Sequence, residues 1–493
     1  MFTRVKSFLF HNTTVRQTVA KNTFWLSVGQ IGGRLLRAII IIYAARVLGA
    51  AGWGVFSYAI TLVAFLTLFV DLGINSILMR ETAKTTDPAE RTKIIATSLG
   101  IKVALLTAGV LVVLFVAPLF TTIESARALY PIVAFVLVFD TLREFGFSFT
   151  RAIERMEVDA ILFVGTNVAI VLAGFIFLYI SPTVRSFTYS YAVGTGLGMF
   201  ATTFVLRRNL RNLAANFSRK LIAPIMRSAW PFAVSGLLGT LMLNTDVLII
   251  GGMRSAEEVG LYSAATRVIQ LLYTLPVILS VSILPTFSRL AHTDREKMRR
   301  MLEHAVSIAF LAAIPIALGG IAVAPALTTA LFGSEYGAAT LPFRILLLTI
   351  LIDFPVTILS GALFAYDRQR KMIAYAAIGG ILNVIFDLIL IPRFGIAGSA
   401  WATFIAQAAS NLYLWGAAKR VNYFTVFHRL RKIILSSVAI AIVAWFLLRV
   451  GVPVFVDVGI AGLLYLGMLR WLHEPLLEEV RLALRPTQGP AAG

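Results

Sequence analysis

Three polar side chains interrupt the apolar run from about Thr23 to Ala45: Gln30, Arg34 and Arg37. Their spacing of i, i+4 and i+7 puts all three on one face of a helix. A guanidinium is a planar fork that can meet two oxygens of a phosphate at once, so this face suits an oxyanion. Facing lipid near mid-membrane, each arginine would cost at least about 2.5–3.5 kcal/mol on insertion scales. The pair therefore faces protein or a water-filled cavity. No acid lies on the same helix. The two readings are an acid supplied by another helix and an unpaired basic cavity. Arg267 and Gln270 form a similar pair at i, i+3 in a later apolar run, and Lys102 is a third candidate. The opposite side of the first helix (Trp25, Leu35, Leu36, Ile39) is apolar.

The remaining ionisable residues within apolar runs have structural readings. Asp140, Arg143 and Glu144 lie three and four apart and can satisfy one another. Asp71, with Asn75 one turn on, reads as a packing cap or as the partner of a basic loop. Asp246 could neutralise Arg267, and Arg344 is close enough to a helix end to snorkel. Asn167, Asn244, Asn383, Gln407 and Asn411 read as hydrogen-bonding glue between helices, and the Gly29-x-x-x-Gly33 spacing as close helix packing. With no cysteine there is neither a disulfide framework nor a thiolate metal site. No HExxH and no glycine-rich phosphate loop occurs, so neither a metal nor a nucleotide cofactor is expected.

These side chains sit on elements that composition places in a bilayer. The 493 residues are 58% hydrophobic and 14% charged, with a mean hydropathy of +0.85. A soluble core of this size would not leave so little charge. Apolar runs of spanning length recur at about 23–45, 55–75, 95–117, 129–150, 160–180, 187–206, 228–250, 259–287, 305–332, 341–364, 373–391, 396–415, 433–449 and 453–471. The fold class is thus an all-α integral membrane protein with about fourteen transmembrane helices.

The net charge of +20 is not a nucleic-acid signal, because it is concentrated in alternate loops. With the N-terminus inside, inner segments hold thirty-two Lys and Arg against six in the outer loops. That asymmetry predicts a multi-pass protein of the cytoplasmic (inner) membrane with both termini cytoplasmic. The basic, amphipathic segment before Thr23 (Arg4, Lys6, Arg16, Lys21) reads as uncleaved, with the first helix serving as insertion signal.

A short repeat is visible. Gly54-Val-Phe-Ser-Tyr-Ala59 recurs as Gly260-Leu-Tyr-Ser-Ala-Ala265, each time at the entry to a second helix. It predicts two homologous six-helix lobes, 1–215 and 216–427, related by an axis along the membrane normal. An appended helix pair at 428–473 and a cytoplasmic tail at 474–493 follow, disordered after Leu484. Pro276 and Pro285 in the long eighth helix, and Pro315 and Pro325 in the ninth, mark kinks or ends.

The stretches RVLGAAGWGVFSYA and FVDLGINSILMRE, with DVLIIGGMRSAEEVGLYSAATRVIQLLYTLPVILSVSILPTFSRL in the second half, resemble the polysaccharide, or lipid-linked oligosaccharide, flippases of the Wzx type. That family shares a superfamily with multidrug exporters and peptidoglycan-precursor flippases. The resemblance covers most of the chain. It implies a transporter, not an enzyme, that moves a polyprenyl-diphosphate-linked oligosaccharide by alternating access for cell-surface polysaccharide biosynthesis. It also implies that Arg34 and Arg37 match basic cavity residues, that the last two helices form a groove for the lipid tail, and that other polysaccharide-assembly membrane proteins are partners. Two alternatives stand beside it. A cation-coupled multidrug exporter would have twelve helices and an acid-rich cavity. A polyprenyl-dependent glycosyltransferase would need a large outer loop, and the longest here are about ten residues.

Overall fold

The computed structural model describes residues 15–210 and 213–476, which are helical throughout apart from short connections. The expectations for Arg4, Lys6, Arg211, Arg481, Arg485 and the tail after Leu484 fall outside those residues.

Helix α1 (Val15–Asp71) contains the first two spans in one continuous element. It bends at Gly49, where φ is 68° and ψ 174°, a conformation open to a residue without Cβ. Its two arms are 15–48 and 50–71. Lys21, read from sequence as tail, is inside the first arm. Helix α2 (Ile74–Lys84) follows a break at Leu72 and Gly73, both with positive φ. Helix α3 (Pro88–Leu111) starts at Asp87, whose carboxylate accepts the Ala89 amide at 2.9 Å. Pro88 fills a first-turn position where no amide is needed. The same span runs on through a π-helical turn, Val112–Val116, to Phe120.

Helices α4 (Tyr130–Ala152), α5 (Met156–Ile180), α6 (Val184–Leu210) and α7 (Arg219–Met253) come next. The long eighth helix is two pieces, α8 (Ala256–Leu272) and α9 (Thr274–Leu290), which part at Tyr273. Pro276 sits in the first turn of α9 and accounts for the break, since its ring removes the bond back to Leu272. After these come α10 (Arg295–Phe332), α11 (Thr340–Ala365), α12 (Arg370–Val421), α13 (Arg431–Arg449) and α14 (Val454–Trp471). Helix α12 repeats the device of α1, bending at Gly395 (φ 58°, ψ −141°). At the start of α10, Asp294 accepts the Lys297 amide at 2.9 Å. That bond, reinforced by the Lys297 ammonium, holds the carboxyl below the usual carboxylate range.

With the arms of α1 and α12 counted separately and α8 and α9 together, the described residues make fourteen passes. Ten helical stretches meet the length and hydropathy of a span. Two of those ten are the bent helices α1 and α12. The remaining passes, α4 and α6, fall short because α4 carries Asp140, Arg143 and Glu144 and α6 is rich in Ser, Thr, Tyr and Gly.

The chain packs as two compact units. The first runs to Ala264 and takes in Asp387–Ile396, and the second comprises Ala265–Phe386 and the chain from Ala397 onward. In the first, α5 packs on α1 and α6, and α4 on α2 and α6. A cluster of Leu78, Ile95, Phe145, Phe149 and Leu206 ties α2, α3, α4 and α6 together. The two copies of the repeat touch reciprocally within this unit. A Cβ on Gly54 would strike the Ala256 carbonyl, and one on Gly260 would strike the Ala50 carbonyl.

In the second unit α11, α13 and α14 pack on α10. Pro315 and Pro325 lack the amides that would bond the carbonyls of Leu311 and Ile321. Both carbonyls are taken by neighbours. Tyr465 on α14 donates its hydroxyl to Leu311 at 2.9 Å, and Arg344 Nε donates to Ile321 at 3.1 Å. Arg344, expected to snorkel, therefore satisfies a carbonyl that a proline leaves free. Large apolar side chains such as Phe200, Phe204, Leu412 and Leu463 are exposed, as helices bathed in lipid require.

Candidate functional site

The first arm of α1 carries Gln30, Arg34 and Arg37, and α5 is its partner. Small residues set the approach: a Cβ on Gly29 would lie 2.9 Å from that of Ala160. Gly33 faces Phe163 and the amide of Asn167, whose Nδ2 is 2.7 Å from where a Cβ would be. The Gly29/Gly33 pair thus does serve close packing. It also leaves space at the helix contact for a polar side chain.

Arg37 uses that space. Its Nε donates to Asn167 Oδ1 at 2.9 Å, and its guanidinium carbon lies 5.9 Å from the centroid of the Tyr191 ring on α6. Asn167 is fully buried, and its Nδ2 donates to the Phe163 carbonyl at 2.7 Å. Arg37 is half-buried and has no acid against it among the described residues. Arg34 is exposed and Gln30 half-buried, and neither has a side-chain partner among the described residues. At 100° per residue, Arg34 lies about 60° round the helix from Arg37. Leu35 and Ile39 are exposed on a different side. Of the two sequence readings, the structure favours a cation with neutral neighbours.

Most of the other intramembrane charges are engaged, although both carboxylate oxygens of Asp457, near the start of α14, are buried without a hydrogen-bond partner among the described residues. Lys102 on α3 is buried, with Nζ 2.5 Å from Asp71 Oδ1 and 2.7 Å from Asn75 Oδ1. Two of its three protons are thereby used. Lys102 stands in this structure as the partner of Asp71, not as an open cation. Arg143 lies 2.9 Å from Asp140, as their spacing of three predicts, and 3.4 Å from its chain neighbour Glu144. Lys21 is buried against Glu157 at 3.2 Å, and Arg151 meets Asp159 at 2.9 Å. In the second unit Arg267 Nη1 donates to Gln270 Oε1 at 3.2 Å, so this pair is brought together. Asp246, in the first unit, accepts the hydroxyl of Tyr262. Asp353 accepts from Asn411 Nδ2 at 2.5 Å. No group of three or more His, Asp or Glu is arranged to hold a metal among the described residues.

Sequence reasoning read Asn167 only as hydrogen-bonding glue between helices, and it passed over Tyr191. Nothing in the local sequence separates Asn167 from the packing amides; only its position opposite Gly33 does so.

Comparison with known proteins places this geometry in a family. The model of the polysaccharide biosynthesis protein family matches residues 19–291, and that of the MatE family matches residues 231–389. A probable flippase, AglR, of Haloferax volcanii is 33% identical over 171 residues, covering 34% of this chain and 36% of that protein. A putative O-antigen transporter of Shigella flexneri is 21% identical over 395 residues, covering 78% of this chain and 93% of its own length. Among solved structures, the lipid II flippase MurJ in an inward closed conformation superposes with a TM-score of 0.77 at 18% identity. That match covers 92% of this chain and 99% of the other, and it is a likeness of fold.

Proposed function

The chain belongs to the polysaccharide biosynthesis protein family, and from that premise we propose that it is a flippase for a polyprenyl-diphosphate-linked oligosaccharide. The observation that carries this reading is Arg37, whose Nη edge has no protein partner among the described residues while its Nε is held by a neutral amide. Arg34 adds a second cation, one turn away, with no side-chain partner among the described residues. A diphosphate supplies the oxygens such forks accept. Neither that group nor a large sugar crosses hydrocarbon unaided, so a basic polar face in the membrane is what the headgroup needs, while the prenyl tail stays in lipid. Alternating access presents the site to each side of the membrane in turn. Arg267 and Gln270 are the corresponding candidates in the second half. By the thirty-two to six distribution of Lys and Arg, both termini are cytoplasmic. Reporter fusions after Pro182 and Gly333 should then give outside-type signals, and an inside-type signal at either refutes that orientation.

The MatE match over residues 231–389 keeps a drug exporter as the second reading. Against it stand fourteen passes instead of twelve and unneutralised arginines on α1 instead of acids. The deciding experiment is export of lipid-linked sugar in cells depleted of the native protein, with membrane abundance as control. Arg34→Lys and Arg37→Lys keep the charge and lose the fork, and each should reduce export about tenfold or more. Full export by Arg34→Ala combined with Arg37→Ala would remove these residues from the mechanism.

A further inference from the structure

We propose that Asn167 is a positioning residue that aims the Nη edge of Arg37 at a phosphate without neutralising its charge, and that Gly33 exists to admit it. This inference rests on the flippase reading and names how its anion site is held.

Arg37 donates through Nε to Asn167 Oδ1, and neither Nη1 nor Nη2 makes a hydrogen bond or ion pair with any described residue. A guanidinium held by Nε alone presents the Nη pair outward, which is the end-on geometry for two oxygens of one phosphoryl group. The amide itself cannot turn. Its Nδ2 is bonded to the Phe163 carbonyl one turn back on α5, and this fixes which end bears the oxygen. Asn167 is buried, so no water competes for Oδ1. Tyr191 lies beneath the guanidinium and limits its swing.

The residue type matters. An aspartate here would fit the same space and accept the same bond, yet it would form a buried ion pair and withdraw the charge from any ligand. A neutral acceptor gives direction and leaves the full positive charge available. Gly33 is the complement on α1, because any Cβ there would sit 2.4 Å from the Phe163 ring and 2.7 Å from Asn167 Nδ2, and would displace both the ring and the amide bonded to the Phe163 carbonyl.

The test uses the full chain purified in detergent and titrated with farnesyl diphosphate. Wild type should bind it, with affinity falling as salt rises. Asn167→Asp should weaken binding about tenfold or more and flatten the salt dependence, while melting no earlier than wild type. Asn167→Ala should weaken it several-fold, and this loss should vanish in an Arg37→Ala background, because an aiming residue has no function without its arginine. Gly33→Ala should behave as Asn167→Ala does. Asn167→Ala weakening binding equally in both backgrounds would reduce Asn167 to packing and overturn the inference. So would an Asn167→Asp variant that binds like wild type. Displacement of farnesyl diphosphate by an equal concentration of phosphatidylglycerol would assign the fork to a phospholipid headgroup and overturn it too. Wild type that binds no farnesyl diphosphate would overturn the flippase reading itself.

Discussion

Lys102 and Asp71 should prove to be worth far more together than apart. The Lys102 side chain is 1% exposed and that of Asp71 21%, so the ammonium has no recourse to water and the carboxylate has some. Asp71→Asn removes the charge and keeps an acceptor, so Asn75 retains its amide bond at the start of α2. It leaves a buried ammonium facing only neutral oxygens, which should cost about 3–5 kcal/mol. Lys102→Met strands the partly hydrated carboxylate and should cost less, about 1–3 kcal/mol. The double variant leaves no charge behind and should fall within about 1–2 kcal/mol of wild type, a coupling of at least about 2 kcal/mol. The measurement is thermal unfolding of the detergent-purified protein for all four forms. Additive losses would refute the pairing, and a harmless Asp71→Asn would show that the ammonium is hydrated. Transport by the double variant decides the role of Lys102. Export at more than half the wild-type level fits a structural pair, whereas lost export in a stable double variant would return Lys102 to the substrate site.

Two further outcomes follow from the packing. Tyr465→Phe removes the donor to the Leu311 carbonyl and should destabilise the protein by about 1–2 kcal/mol. Pro315→Ala should suppress that loss by restoring a helix amide, and if thermal melts show no suppression, the tyrosine is not substituting for the missing amide. Gly54→Ala and Gly260→Ala each drive a methyl into a backbone carbonyl, so each should cost about 3 kcal/mol or more and lower the folded yield on size exclusion; wild-type yield from either would show that the crossing is loose.

The spans were legible because roughly 20-residue apolar runs have no other home, and the fourteen passes fall where those runs lie. Their junctions were not. Gly49 and Gly395 join neighbouring spans by a single non-helical residue, where hydropathy shows only a dip that reads as a short turn. The break at Tyr273 has its cause three residues later, in Pro276, so a proline marks the trouble but not the position. The charged residues were visible one by one. Whether each was satisfied depended on contacts across long separations: Lys102 to Asp71 over 31 residues, and Arg37 to Asn167 over 130. Only Asp140 with Arg143, and Arg267 with Gln270, each three apart on one helix, could be paired from spacing alone.

One rule governs the kinks and the charges alike. In a bilayer there is no solvent to complete a polar group, so each must find its partner in the chain. The carbonyls freed by Pro315 and Pro325 find a tyrosine and an arginine, and the ammonium of Lys102 finds a carboxylate and an amide. The rule has exceptions, Asp457 and two nitrogens of Arg143 among them. Arg34 and the Nη edge of Arg37, on the first arm of α1, have no hydrogen-bonding partner among the described residues, and they lie beside a helix contact that took two glycines to make. If their role were structural, an acid on α4, α5 or α6 would serve it, and those helices spend theirs on Arg143, Arg151 and Lys21. Asn167 stands where such an acid would have to be. On the flippase reading, a neutral residue at that point leaves the charge of Arg37 available to a ligand.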